Sequence, residues 1–168
     1  MSRKHFGKYD DRKLDWLKLL ELFAVILIVA FLFFRFVMGI SRVSGESMSP
    51  TYRNGQLVFY NRLAHNYEVG DVVSVKLPSG EYLIKRIIAT AGDEIDLQDG
   101  VVYINGEAET GAWVTGLTQP ASQKVSYPLQ IPSNAVFVLG DNREVSIDSR
   151  TYGTIEISQI RGKILGGN

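Results

Sequence analysis

Cysteine is absent from the 168 residues, so neither a disulfide frame nor thiolate chemistry is available. This suits an extracytoplasmic protein of a cell that avoids thiols there. Histidine occurs only as His5 and His65, too few for a zinc site of the usual kind, and no metal or organic cofactor is expected. There is no charge surplus either: Lys+Arg and Asp+Glu both number 18, which removes the basic excess that would hold a phosphate backbone and argues against nucleic acid as a partner. Only 5 prolines are present and 45% of the residues are hydrophobic, which excludes a disordered chain and leaves material for one ordinary core.

What is abundant comes early. Residues 22 to 40, LFAVILIVAFLFFRFVMGI, are apolar except for Arg35 and Gly39, and as a helix rising about 1.5 Å per residue they reach roughly 28 Å, the depth of a bilayer core. A buried core helix is the alternative, but a chain this short has little with which to cover an all-round apolar surface. A cleaved signal peptide is a second alternative; against it, the run is long and no small-x-small pair closes it. Arg35 lies near enough to the end for its guanidinium to snorkel toward the headgroups. Arg3, Lys4, Lys8, Arg12, Lys13 and Lys18 precede the run, whereas only Arg42 and Arg53 are basic in the twenty residues after it. The positive-inside bias therefore predicts a cytoplasmic segment over residues 1–21, a single span over 22–40 in contact with membrane lipid, and an extracytoplasmic domain over 41–168.

That outer domain is predicted to be mainly β, a curled antiparallel structure behind one transmembrane helix. QLVFYNR, DVVSVKL and EYLIKRIIAT, beginning at Gln56, are rich in Val, Ile, Tyr and Phe and bounded by turn residues. EIDLQDGVVYING, residues 94 to 106, predicts a hairpin turning at Asp99-Gly100, a pair suited to the left-handed positions of a type I′ turn. Periodicity then fades across a loop-like insertion at about 107–133, and strands resume at NAVFVLG and TIEISQIRGKIL. No long amphipathic helix and no repeat interrupts the pattern.

Three stretches could carry chemistry. The first is SGESMSPT, residues 44 to 51, whose Ser47 is no more than about 25 Å of extended chain beyond Ile40. It lacks a strand or helix pattern, and Gly45 leaves backbone N–H groups open toward a ligand beside Ser47; a plain turn would also use Ser, Gly and Pro. A serine nucleophile needs a base. His65 lies in the polar stretch RLAHNYEVGD and gives little support to a Ser/His/Asp triad. Lys85 is flanked by Leu83 and Ile87 on one strand face and Ile84 and Ile88 on the other, so its ammonium is expected to be poorly solvated. Lowering an ordinary lysine pKa of about 10.4 to the 7 to 8 useful in a general base costs roughly 4 kcal/mol, which burial can supply. The competing role for such a lysine is to guard an edge strand against aggregation. Arg86 follows directly. The third stretch, GDNREVSIDSRTYG at 140 to 153, brings Asp141, Arg143, Asp148 and Arg150 for ion pairing and the hydroxyls of Ser146 and Ser149; it is either a solvated loop or a polar support for the lysine.

Taken together, SGESMSPT, KRIIATAGD at 85 to 93 and GDNREVSIDSR at 140 to 150 resemble, in order and spacing, the signature segments of bacterial type I signal peptidases, and VVYINGE and FVLGDNR are similar to that family as well. The resemblance runs from the anchor nearly to the end, and the modest insertion is like that of the single-anchor enzymes of Gram-positive bacteria. It implies that Ser47 is the nucleophile, Met48 the residue packed beside it, Lys85 the general base and Arg86 its basic neighbour. It further implies that Ser146 orients the lysine and that Asp141, Arg143, Asp148 and Arg150 form a structural network. Some members carry a serine two positions before the nucleophile as an oxyanion donor; here that residue is Gly45, so backbone amides, notably that of Ser47, are left with the task. The expected activity is a membrane-anchored serine endopeptidase acting by a Ser/Lys dyad on signal-peptide-bearing preproteins, which leaves room for contact with the secretion machinery. Two other readings stand beside it: a non-catalytic factor in the assembly of surface proteins such as pilins, against which the presence of both Ser47 and Lys85 counts, and a self-cleaving repressor-type protease, against which the apolar span and the lack of a DNA-binding helix pair count.

Overall fold

A computed structural model describes residues 11–166. Its contacts divide the chain into a helical unit ending at Val37 and a β unit beginning at Met38. Arg3, Lys4 and Lys8, three of the basic residues used above to orient the chain, lie outside the described residues.

The helical unit is α1, Asp11–Leu32, continued by a π-helical turn at Phe33–Val37. Within it Asp15–Val37 is apolar enough to cross a membrane, with a mean hydropathy of 2.6, and none of its most apolar window is buried by the rest of the chain. Its length and composition match those of a membrane-spanning helix. Its bounds differ from the expected ones at both ends. Residues 11 to 21, placed in a separate cytoplasmic segment, continue the same helix. Residues 38 to 40, placed in the span, are already strand. Gly39 explains the second difference: it lies opposite Tyr60 in the strand register, and a Cβ on it would run into the Tyr60 ring. Glycine thus weakens the helix where it would continue and permits the close approach that the strand needs.

The β unit is antiparallel, as predicted, and its strands form two sheets. The larger contains β1 (Met38–Arg42), β2 (Leu57–Asn61), β3 (Val72–Lys76), β4 (Tyr82–Ala89), β9 (Ala135–Leu139), β10 (Ile155–Glu156) and β11 (Ile160–Ile164). Their order across the sheet is β1-β2-β11-β3-β4-β9-β10. Alternation is plain in β2, where Val58 and Tyr60 face the core while Leu57 and Phe59 face outward. The inner strands β3 and β9 are covered on both faces; β9 is correspondingly apolar throughout, AVFVL, and β3 is mostly valine with a buried Ser74. Strand β4 matters most for function. It pairs with β3 from Tyr82 to Arg86, but with β9 only from Arg86 to Ala89. Along Tyr82 to Lys85 its second edge has no strand partner among the described residues.

The smaller sheet has the order β7-β6-β5-β8, formed by β5 (Glu94–Gln98), β6 (Val101–Ile104), β7 (Glu107–Ala108) and β8 (Leu129–Gln130). The predicted hairpin joins β5 to β6, and Asp99 and Gly100 have φ of 50° and 82°, the two positive values that a type I′ turn requires. The insertion at 107–133 is mostly irregular, but its ends are the short strands β7 and β8, and its middle is tied by a parallel bridge between Thr115 and Asn142. Residues 140–153 hold one short helix, α2 (Ser149–Tyr152), capped by the Asp148 side chain, which accepts from the Arg150 amide. One cluster of the core, Val43, Met48, Tyr52, Val58, Tyr60, Val72, Ile84 and Ile164, lies directly beneath the SGESMSPT turn.

Candidate active site

The turn carrying Ser47 is pinned from below and from the side. Met48 is fully buried, and its carbonyl accepts from the Tyr52 amide at 2.8 Å. The Ser47 carbonyl accepts from the Asn142 amide at 3.0 Å, and the Thr115 hydroxyl donates to the Ser49 carbonyl at 3.3 Å. Strand β4 delivers Lys85 from the other direction. Its Nζ stands 2.7 Å from Ser47 Oγ across 38 residues of sequence. Lys85 is 4% exposed, and burial is the main reason that its pKa falls from the ordinary 10.5 to about 8; Arg150 lowers it too, while Asp148, Asp141 and Glu81 work in the opposite direction. As an ammonium Nζ donates to Oγ; as a neutral amine it can accept the serine proton over the same distance.

Gly45 has φ of +80°, and no atom lies within 4 Å of where a Cβ would be. Its amide donates to Asn54 Oδ1 at 3.1 Å and is thereby engaged. The Ser47 amide has no hydrogen-bond partner among the described residues. A cavity of about 140 Å³ opens beside the pair, between residues 41–44 on one side and Glu81–Lys85 on the other, with Ser47 and Met48 at its base.

The acidic and basic residues of the third stretch form separate, buried pairs. Arg86 grips Asp141 through Nε and Nη2, both at 2.8 Å, and donates through Nη1 to the Gly70 carbonyl at 2.7 Å. Arg150 grips Asp148 from Nε at 2.8 Å and Nη2 at 2.9 Å, and also donates to the carbonyls of Arg143 and Ser146. Such two-pronged geometry, with further bonds to spare, is what makes a buried ion pair tolerable. Arg143 turns away from the acids of its own segment: it pairs with Glu109 at 2.7 Å and bonds Thr118 Oγ1 at 2.8 Å. The Asp148 carboxylate also accepts the Gly140 amide at 3.1 Å, and Ser149 Oγ accepts the Val138 amide at 3.0 Å, so these side chains hold the end of β9 in place.

Ser146 is the exception to the expected arrangement. Its Oγ is buried and makes no hydrogen bond, so the anticipated bond to Lys85 is not formed. The hydroxyl nevertheless lies close by, because a Cβ on Gly140 would meet both Ser146 Oγ and the Ser47 carbonyl oxygen. His65 has no described contact with this site.

Several contributors went unrecognised in the sequence. Thr51 Oγ1 donates to Asp141 Oδ2 at 2.5 Å, tying the nucleophile turn to the Arg86 pair. Trp113, from the irregular insertion, places its ring 4.4 Å from the Arg86 guanidinium carbon. Thr115 and Asn142 brace the turn as described. Thr51 was within reach of inspection, being inside SGESMSPT; Trp113 and Thr115 sit in a stretch with no periodicity to mark them.

This geometry can do one thing well: hold a hydroxyl against an amine of reduced basicity beside a small cavity. Comparison with known proteins agrees. The family described as "Signal peptidase, peptidase S26" matches residues 15–165. The chain belongs to that family. It is 32% identical over 158 residues to signal peptidase IB of Staphylococcus aureus, with 84% of this chain and 83% of the relative covered. To signal peptidase I of Bacillus caldolyticus it is 31% identical over 137 residues, covering 73% and 74% respectively. The crystal structure of a signal peptidase I from Enterococcus faecalis superposes with a TM-score of 0.50 at 24% identity, covering 60% of this chain and 98% of that one, and shares the fold. Family membership makes the chain a serine endopeptidase, and the described β unit is the part that carries the Ser47 and Lys85 pair.

Proposed function

We propose that this peptidase removes signal peptides from exported preproteins at the outer face of the cytoplasmic membrane, by a Ser47/Lys85 dyad held on a single N-terminal anchor. The observation that carries the reading is the 2.7 Å separation of Nζ and Oγ at a lysine whose pKa burial has brought down to about 8. Neutral Lys85 takes the hydroxyl proton as Ser47 Oγ attacks the scissile carbonyl. The unengaged Ser47 amide is aimed at the developing oxyanion. Lys85, now an ammonium, returns its proton to the leaving amine, and in the second half of the reaction it accepts a proton from the water that attacks the acyl-enzyme. The bond between the acyl carbon and Oγ then breaks, and Lys85 passes that proton to Oγ, which regenerates Ser47 and the neutral lysine.

The cavity beside the dyad is bounded by an unpaired edge, Tyr82 to Lys85, and this supports binding of the substrate as an extended strand with small side chains directed inward. The network of Arg86–Asp141, Arg150–Asp148 and Arg143–Glu109 keeps the two halves of the dyad in register. The basic N-terminal segment supports a cytoplasmic N-terminus, and the bare helix supports a single crossing.

The test is cleavage of a preprotein in membranes by wild type, Ser47→Ala and Lys85→Ala. Both variants are expected to lose cleavage by at least a thousandfold. Undiminished cleavage by either would sink the dyad, and no cleavage by wild type would favour a role in binding alone.

A further inference from the structure

A second concave surface lies in the small sheet. It is a groove of about 650 Å³ lined by Val69, by Ile104, Asn105, Glu107 and Ala108 around the β6–β7 turn, and by residues 109 to 113. That volume is within the range of sites that hold peptides and small ligands. The groove has no lysine, arginine or histidine in its lining, but two glutamates.

Its setting is strongly one-signed. Residues 90 to 134 contain Asp93, Glu94, Asp96, Asp99, Glu107 and Glu109 against a single basic residue, Lys124, in a chain whose charges otherwise balance at 18 and 18. Arg143 Nη2 and Trp113 Nε1 both donate to Glu109 Oε1, while Oε2 of this side chain, which is 6% exposed, is buried with no hydrogen-bond partner among the described residues. A carboxylate oxygen so placed is short of a donor. Trp113, whose ring carries Arg86 nearby, forms an aromatic wall of the groove. Finally, β7 is the end strand of its sheet, so among the described residues one side of the Glu107–Ala108 backbone has no strand beside it.

We propose that this groove binds an extended peptide segment bearing lysine or arginine, added along the free edge of β7 with its cationic side chains toward Glu107 and Glu109. Backbone pairing supplies the alignment and the carboxylates select the charge. The site is separate from the dyad and does not depend on the proposed cleavage reaction.

The chain contains only two tryptophans, Trp16 and Trp113. Full-length Trp16→Phe, Ser47→Ala protein in detergent therefore reports on the groove through Trp113 fluorescence alone. The probe is an end-blocked hexapeptide of alternating valine and lysine, and its control replaces each lysine by glutamine. The lysine peptide is expected to produce a saturable change that weakens roughly two- to fivefold with Glu107→Gln, as for a partly exposed ion pair, and that also weakens as salt is raised. The glutamine peptide is expected to bind more weakly by a similar factor or more. Absence of a saturable change, equal responses to both peptides, or a response untouched by Glu107→Gln would overturn the proposal. Cleavage by Glu107→Gln in the Ser47 background is expected to remain at the wild-type rate on a substrate without basic residues near the cut.

Discussion

Raising the pH of a cleavage assay from 6 to 10 titrates Lys85, the proposed general base. Burial lowers Lys85 from 10.5 to about 8. At 1.36 kcal/mol for each tenfold that is roughly 3 kcal/mol, and it makes the neutral amine about one molecule in ten at pH 7 instead of about one in three thousand. Preprotein cleavage in a membrane preparation should therefore rise close to tenfold per pH unit up to about 7, roughly fivefold from there to about 8, and level off above about 9. The same cost is visible in stability. The unfolded chain keeps its proton on this lysine up to about 10.5, whereas the folded chain releases it near 8. Between those values the unfolded state binds more protons, so stability rises with pH there, and below 8 the folded state bears the whole roughly 3 kcal/mol. Lys85→Met should accordingly be inactive but more stable than wild type at pH 7, with its advantage shrinking by about that amount between pH 8 and 10.5. Denaturant unfolding at several pH values measures this. Activity that keeps climbing to pH 10, together with a pH-independent stability difference, would refute the burial argument.

Other consequences concern the frame around the dyad. Gly140→Ala places a methyl against Ser146 Oγ and the Ser47 carbonyl oxygen, and should lower kcat at least a hundredfold while costing about 1–3 kcal/mol of stability, checked by paired kinetics and unfolding. Thr51→Val removes the bond to Asp141 and should cost about 1.5–3 kcal/mol of stability; a kcat loss of roughly tenfold with KM unchanged would show that the bond positions the turn. Arg150→Met leaves Asp148 buried without its partner and should destabilise by about 3–5 kcal/mol in urea unfolding.

The closeness of Ser47 and Lys85, the proposed dyad, was legible because each stands in a locally informative stretch: Ser47 in a patternless turn at the head of a strand region, Lys85 amid apolar neighbours on both faces of β4. The acid and base partners of residues 140 to 150 could be named as a group, but not paired. Arg143 reaches Glu109, 34 positions away, and no rule of spacing joins them. Strand β1 was hidden because Met38, Gly39 and Ile40 are as apolar as the helix before them; only the ring of Tyr60 shows why the glycine belongs to a sheet. Trp113 was invisible for the opposite reason, being a single aromatic in an irregular loop whose partner, Arg86, arrives from a different sheet. The bond expected from Ser146 is a matter of a single hydroxyl's placement, which a resemblance between segments does not determine.

The half-paired strand β4 has a consequence for timing. Where Tyr82 to Lys85 lacks a neighbour, the fold is one short strand incomplete, and on the proposed mechanism the missing piece is the polypeptide to be cut. The substrate then serves briefly as part of the architecture that cleaves it. Once the amide is broken, the downstream half is no longer anchored to that edge by its own chain. The act of cutting thus undoes the arrangement that made it possible, and the gap reopens for the next polypeptide.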